Sequence, residues 1–77
     1  MLATDVIEKQ VYYFTFGMGH DLQGHVQPIL ASSYKSARET MFDKYGNKFA
    51  FQYTRDEYFA KWKHFQHHAI LSLIEGR

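Results

Sequence analysis

The chain has no cysteine among its 77 residues, so packing alone must hold its fold together. A chain this short buries a limited share of its surface, and no disulfide compensates for that. One Trp, six Tyr and seven Phe make up an aromatic content of 18%. Large rings let a small core bury much area from few positions. The sequence therefore predicts a single domain over residues 1–77, in which residues 1–9 form a flexible N-terminal extension.

Charge and hydropathy narrow the function classes. Nine Lys and Arg stand against eight Asp and Glu, which gives a net charge of +1. Proteins that bind nucleic acid mainly through phosphate contacts carry a clear excess of basic residues, so strong non-specific binding to nucleic acid is not expected. No apolar run approaches the roughly 20 residues that span a bilayer, and the N-terminus lacks the pattern of a signal peptide. We expect a protein of the cytoplasm with no membrane partner.

The first half of the chain has the pattern of a β-hairpin. Residues 10–16 are β-branched and aromatic almost throughout, which favours a strand. Residues 17–24 contain three glycines and are typical of a hairpin loop. Residues 25–31 form a second short strand, and Pro28 places it at a sheet edge because proline donates no backbone hydrogen bond.

The periodicity then changes to that of a helix. Residues 34–45 carry one apolar stripe, with Ser33 as the N-cap and Gly46 closing the C-terminus. Residues 48–53 alternate, so Phe49, Phe51 and Tyr53 share one face of a third strand.

Thr54 and Glu57 form a capping box that begins a last helix of about 20 residues. Phe59 and Trp62 fall on its apolar side, and Lys61, His64 and His68 on the polar side. The sequence thus predicts an α+β fold, ββαβα, with a three-stranded antiparallel sheet in the order 2-1-3 and two helices packed on one face. The core face takes its residues from the first and third strands: Tyr12, Phe14, Phe16, Phe49, Phe51 and Tyr53. The face left open carries Tyr13, Ile29 and Gln52.

Catalytic and cofactor patterns are weak. His64 and His68 have the i, i+4 spacing of a chelating pair, but a structural zinc site needs four ligands, so no metal is predicted. Gly17 and Gly19 open no phosphate-binding turn, because position 22 is Leu and no helix follows. No cysteine nucleophile or serine elbow occurs, and no enzyme activity or cofactor is expected. The final Ile74-Glu75-Gly76-Arg77 spells a common protease-cleavage sequence, to which we assign no role.

A set of short motifs resembles a known group of proteins. The run YYFTFG is followed by Gly19-His20, Ser33-Tyr34, Ala37-Arg38, Met41-Phe42, Tyr45-Gly46 and KFAFQYT. This set is similar to small uncharacterised proteins encoded by phages and prophages of Gram-positive bacteria. The resemblance spans residues 11–59 and is most specific from Met41 to Thr54. It implies a context in which accessory proteins bind host proteins, including CRISPR effectors and other defence enzymes, in the bacterial cytoplasm.

These observations lead to one functional hypothesis and two alternatives. The first is a non-catalytic phage-type accessory protein that binds a host or phage protein, as an inhibitor of a defence system such as CRISPR. The surfaces predicted to bind this partner are the polar side of the last helix and the open sheet face: Lys61, His64, His67, His68 and Tyr13. One alternative is a small nucleic-acid-binding module that uses Lys35, Arg38, Lys44 and Lys48, either directly or through a partner. The other is a structural homodimer formed by a sheet face or an unpaired edge strand.

Overall fold

Five strands form one mixed sheet in the computed structural model, which describes residues 8–76. Three short helices accompany them. The order along the chain is β1 (Gln10–Thr15), β2 (His25–Ala31), α1 (Tyr34–Tyr45), β3 (Phe51–Tyr53), α2 (Arg55–Ala60), α3 (Trp62–Phe65), β4 (Ala69–Ile70) and β5 (Ile74–Glu75). The α+β class is confirmed. The predicted N-terminal extension lies outside the described residues except for Glu8 and Lys9, and no helix of the described part is long and apolar enough to cross a membrane.

The predicted hairpin is confirmed. β1 and β2 pair antiparallel from Gln10↔Ala31 to Thr15↔Val26. The loop between them makes three tight turns, and Gly19 and Gly24 adopt φ angles of 86° and 83° there. Only glycine reaches such angles without steric strain, so these two positions fix the shape of the loop.

α1 forms where the helical stripe predicts it. The Ser33 hydroxyl accepts a hydrogen bond from the Ser36 amide at 3.0 Å, which caps the helix, and Gly46 ends it with a φ of 66°. Ala37 and Met41 are fully buried against β1 and β2. The first core cluster, on this side of the sheet, consists of Tyr12, Phe14, Phe16, Ile29, Ala31, Ala37 and Met41.

β3 is shorter than predicted, and the alternation does not hold. Only Phe51–Tyr53 pair with β1. Phe49 precedes the strand and packs against the Phe14 ring, with centroids 5.2 Å apart. Phe51 is exposed, and Tyr53 packs in the second cluster, across the sheet. The prediction that all three share the core face is therefore wrong, because residues 48–50 are not extended in phase with the strand.

The predicted long final helix is wrong. The capping box is present, since the Thr54 amide donates to Glu57 and the Glu57 amide donates to the Thr54 hydroxyl. The helix nevertheless ends at Ala60, α3 adds a single turn, and the chain then returns to β2 as β4 and β5. The carbonyls of Gly24, Val26 and Leu30 accept hydrogen bonds from residues 69, 71 and 76. Without β4 and β5, those carbonyls would lack hydrogen-bond partners within the sheet. Satisfying them outweighs the helical periodicity of the C-terminal residues.

β2 is consequently an interior strand, and the edge position predicted for Pro28 is wrong. The sheet order is β3-β1-β2-β4, with β5 also paired to β2, and β4 and β5 run parallel to β2. The neighbours β2-β1-β3 are as predicted, but the three-stranded, fully antiparallel sheet is not. Pro28 lies where β4 has ended and β5 has not begun, so its missing N–H interrupts no ladder.

The Gln27 side chain forms hydrogen bonds at the gap between β4 and β5, to the C-terminal segment and to α1. Its side-chain amide donates to the Ser72 carbonyl at 2.7 Å and to the Pro28 carbonyl at 2.9 Å. Its side-chain oxygen accepts from the Tyr45 hydroxyl at 2.8 Å. A buried amide with all these partners ties the C-terminal segment and α1 to the sheet.

The helices cover opposite faces of the sheet and not one face. Successive residues of β1 point to opposite sides, so Tyr12 faces α1 and Tyr13 faces α2. The second core cluster, under α2 and α3, consists of Val26, Tyr58 and Phe65 with Tyr13 and Tyr53 packed against it. The open face predicted around Tyr13, Ile29 and Gln52 does not exist: Ile29 is fully buried, and Gln52 is buried and donates to the Tyr34 carbonyl at 2.8 Å.

Candidate functional site

Two large rings on α2 and α3 stand out from the protein surface. Phe59 is 49% exposed and Trp62 is 44% exposed, and their ring centroids are 6.2 Å apart. We call this pair the aromatic ridge. Exposed aromatic rings side by side are unusual on a small domain, and they mark a surface suited to contact with a partner.

A buried stack of rings holds the ridge in place. Tyr58 is 1% exposed and stacks on Tyr13 at 4.1 Å and on Phe65 at 5.0 Å. Trp62 meets the edge of Tyr58 at 6.0 Å, and Phe59 meets Tyr13 at 6.1 Å. Because Tyr58 faces the sheet, the next residue on the helix points away from it, toward solvent. The ridge is thus exposed on its outer side and supported from beneath.

Two hollows share Phe59 as a wall. One, of about 370 Å³, is lined by Lys9, Gln10, Val11, Tyr13, Arg55 and Phe59. The other, of about 530 Å³, is lined by Phe59, Ala60, Lys61, Trp62, Lys63 and His64. Shallow hollows beside exposed rings give a partner's side chains a place to insert.

Each hollow also carries two permanent cations. Lys9 and Arg55 line the first hollow, and Lys61 and Lys63 line the second. The Lys9 ammonium donates a hydrogen bond to the Gly76 carbonyl at 3.1 Å, so Arg55 is the stronger source of positive charge in the first hollow. The Arg55 guanidinium carbon lies 5.7 Å from the centroid of the Phe59 ring, within cation–π range. The Lys61 ammonium lies 5.5 Å from the centroid of the Tyr53 ring. The site therefore combines apolar area with positive charge.

The residues predicted to bind a partner are only partly brought together. Lys61 and His64 line the larger hollow with the ridge, and Tyr13 lines the smaller one beneath Phe59. His64 also lines a third hollow of about 290 Å³ with His68, beside Phe51. His67 is exposed on the turn after α3. The prediction of a single polar helical face is wrong, because the helix that would have carried it ends before His67 and His68.

His64 and His68 lie close together without a third metal-ligating side chain beside them among residues 8–76. The rings of His64 and His68 are 6.2 Å apart between centroids and are tilted by 36°. Among residues 8–76, no group of three or more His, Cys, Asp or Glu side chains is placed to hold a metal ion. Two imidazoles alone leave a zinc ion short of its usual ligands.

The cations predicted to bind nucleic acid are spread around α1. Lys35 and Lys44 are nine residues apart, about two and a half turns, so they lie on opposite sides of the helix. The Arg38 guanidinium packs over Phe42 and Phe49, at 5.4 and 5.3 Å from their centroids. Together with Lys48, these residues form no continuous basic track of the kind that follows a phosphate backbone.

Five residues that carry the site are not among those predicted from the sequence: Lys9, Arg55, Phe59, Trp62 and Lys63. The helical periodicity places Phe59 and Trp62 on the buried side of a long helix. One signal points to them, since five of the eight residues from 58 to 65 are apolar or aromatic. A helix of that length buries one stripe, so some of these residues must remain outside.

No protein-family model, curated protein or solved structure matches the chain. The candidate site is therefore defined by the structure alone, and it consists of the aromatic ridge and its two hollows.

The buried tyrosine beneath the ridge, Tyr58, makes the free energy of unfolding decrease at alkaline pH. Burial raises the pKa of Tyr58, and the nearby Tyr13 raises it further. Burial also raises the pKa of Tyr53, with a contribution from the Glu57 carboxylate. Unfolded tyrosines ionise near pH 10, whereas the folded protein retains these protons. The stability is therefore fully present below about pH 10 and is lost as the pH rises above it.

Replacing Tyr58 by Phe tests this account. Its hydroxyl has no hydrogen-bond partner among the described residues. We expect Tyr58→Phe to raise the free energy of unfolding by about 1 kcal/mol at neutral pH, because a buried unsatisfied polar group is removed. The variant should also lose less stability than the native chain between about pH 8 and pH 11, measured by urea denaturation. A variant that is less stable at neutral pH would show that the hydroxyl does have a partner.

Proposed function

We propose that the chain is a non-catalytic binding domain that docks on another protein through the aromatic ridge. The observation that carries this proposal is the pair Phe59 and Trp62, half exposed and supported by the buried Tyr58 stack. Tryptophan and arginine are enriched among the residues that dominate binding energy, and Arg55 lies over Phe59 at this site. Because the rings are already held in place, little conformational entropy is lost when a partner binds.

The biological setting of the proposal comes from the resemblance to small phage and prophage proteins. On that basis we propose an accessory protein that acts in the cytoplasm of a bacterial host and binds a host or phage protein. Inhibition of a host defence system such as CRISPR is the role that this setting favours. The resemblance spans residues 11–59, so Phe59 lies at its end and Trp62 lies beyond it.

Affinity capture with matched variants tests the proposal. The immobilised chain is incubated with lysate of a Gram-positive bacterium, with and without nuclease, and bound proteins are identified by mass spectrometry. The double variant Phe59→Ala/Trp62→Ala removes the ridge. Phe42→Ala is the control, because Phe42 is 42% exposed but lies on α1, across the sheet. Light scattering of the same samples reports self-association.

We expect one protein to be captured in both nuclease conditions by the native chain and by Phe42→Ala, and to be lost with the double variant. Capture that survives the loss of the ridge would place the binding surface elsewhere and overturn the proposal. Recovery of nuclease-sensitive material alone would favour the nucleic-acid module. A stable dimer that is lost with the double variant would identify a second copy of the chain as the partner.

A further inference from the structure

The charged side chains that line the two hollows are all of one sign. Both hollows are lined by cations, Lys9 and Arg55 in one and Lys61 and Lys63 in the other. Among the described residues that line the two hollows, none is Asp or Glu. The whole chain has a net charge of only +1, so this surface is far more basic than the average of the molecule.

The two carboxylates of α2 do not line either hollow. Glu57 accepts a hydrogen bond from the Thr54 amide at 2.9 Å and raises the pKa of Tyr53, so it lies at the start of α2 on the side of β3. Asp56 is exposed in the first helical turn, where a negative charge stabilises the helix N-terminus.

We infer that the ridge binds an acidic segment of its partner, in which carboxylates flank an apolar side chain. This inference rests on the proposed function and specifies the partner's chemistry. The apolar side chain would pack on Phe59 and Trp62, and the carboxylates would enter the hollows on either side of Phe59. Arg55 offers a planar fork that matches a carboxylate, while the lysines offer mobile point charges. Complementary charge of this kind sets the choice of partner and speeds association.

The same groups fit a nucleic acid less well. Single-stranded nucleic acids bind by stacking bases on open ring faces along a basic groove. At this site the Arg55 guanidinium lies over the Phe59 ring, and the edge of that ring meets Tyr13. One face of Phe59 is thereby occupied. The remaining described cations lie on α1 and in the loop after it, packed on rings or spread around the helix. They do not extend the positive charge of the two hollows into a continuous basic groove.

The test uses the full chain and a defined probe. The probe is a short peptide of alternating glutamate and leucine, titrated at low salt and followed by NMR at the backbone amides and the Trp62 indole. Arg55→Glu/Lys63→Glu reverses two charges, one in each hollow. Glutamate at position 55 lies in the first turn of α2, where it suits the helix dipole, so folding should be preserved. Lys35→Glu/Lys44→Glu makes the same change of charge on α1.

We expect the peptide to shift the signals of Phe59 and Trp62, and the reversal at 55 and 63 to weaken binding about tenfold or more. Added salt should weaken the native interaction, and the control on α1 should leave it unchanged. An absence of shifts at the ridge would overturn the inference, as would equal weakening by both reversals. Tighter binding to a short oligothymidylate or to phosphatidylglycerol vesicles would assign the surface to another class of ligand.

The captured partner separates this inference from the proposed function. A protein that is lost with Phe59→Ala/Trp62→Ala and also lost with Arg55→Glu/Lys63→Glu supports both. A protein that is lost with the first variant but retained in full by the second leaves the proposed function standing and overturns the acidic partner.

Discussion

Gln27→Ala should lower the free energy of unfolding by about 3 kcal/mol. The side chain is 1% exposed, donates to the Ser72 carbonyl and accepts from the Tyr45 hydroxyl. Its removal takes a hydrogen-bond partner from both groups, which are only partly shielded from solvent, at about 1 kcal/mol for each bond. It also removes the packing of a fully buried side chain, which adds about 1 kcal/mol or more. The C-terminal segment and α1 both loosen from β2 as a result. Urea denaturation followed by circular dichroism measures the change.

Gln23→Ala is the matched control. Gln23 is exposed in the hairpin loop, where its side chain accepts one hydrogen bond from the Gly19 amide. An exposed substitution of this kind changes stability by about 0.5 kcal/mol or less. If Gln27→Ala were as mild as Gln23→Ala, the docking of residues 69–76 along β2 would be contradicted, because Gln27 joins the two at the break beside Pro28.

Phe14→Ala should be the most damaging single change on the α1 side of the sheet. Phe14 is fully buried in the first core cluster and meets Phe49 edge to face. Truncation of a buried phenylalanine removes about 3–5 kcal/mol. A domain of this size has a total stability of roughly 4–12 kcal/mol, so a large part of the margin is lost.

Thermal and urea denaturation of Phe14→Ala should show a lower transition midpoint or a chain already partly unfolded at room temperature. Phe51→Ala is the comparison, since Phe51 lies on the neighbouring strand but is 64% exposed. We expect its effect to stay within about 0.5 kcal/mol. Similar losses from both variants would show that the assignment of faces along β1 and β3 is wrong.

The elements that were predicted correctly are those set by neighbouring residues. The hairpin follows from β-branched and aromatic runs around a glycine loop, and α1 follows from its stripe and the caps at Ser33 and Gly46. The capping box at Thr54 likewise begins a helix as predicted. Each of these signals acts over a few residues, so the sequence alone carries it.

The C-terminal part was not predictable in the same way. Residues 69–74 form a short apolar run that suits a helix or a short strand equally. The choice is made by distant groups, namely the carbonyls of β2 and the side chain of Gln27. The predicted sheet is wrong for the same reason, because β4 and β5 make β2 an interior strand where an edge strand was expected.

The prediction of a long final helix also led to the wrong set of binding residues. A helix of 20 residues would bury Phe59 and Trp62 against the sheet, so the sequence pattern does not indicate them as binding residues. In the short α2 only Tyr58 is buried, and Phe59 is turned out. The polar side of the helix predicts Lys61 and His64 as binding residues, and both lie beside the ridge. Tyr13 is predicted on an open sheet face, whereas it stacks against the buried Tyr58.

The most direct test of the ridge is the affinity of the captured partner for the native chain and for Trp62→Ala, measured by calorimetry. A residue that dominates an interface contributes about 2 kcal/mol or more, so Trp62→Ala should weaken binding about thirtyfold. Phe42→Ala, of similar exposure on α1, should bind like the native chain. An unchanged affinity in a folded Trp62→Ala variant would contradict the account and place the binding surface elsewhere on the domain.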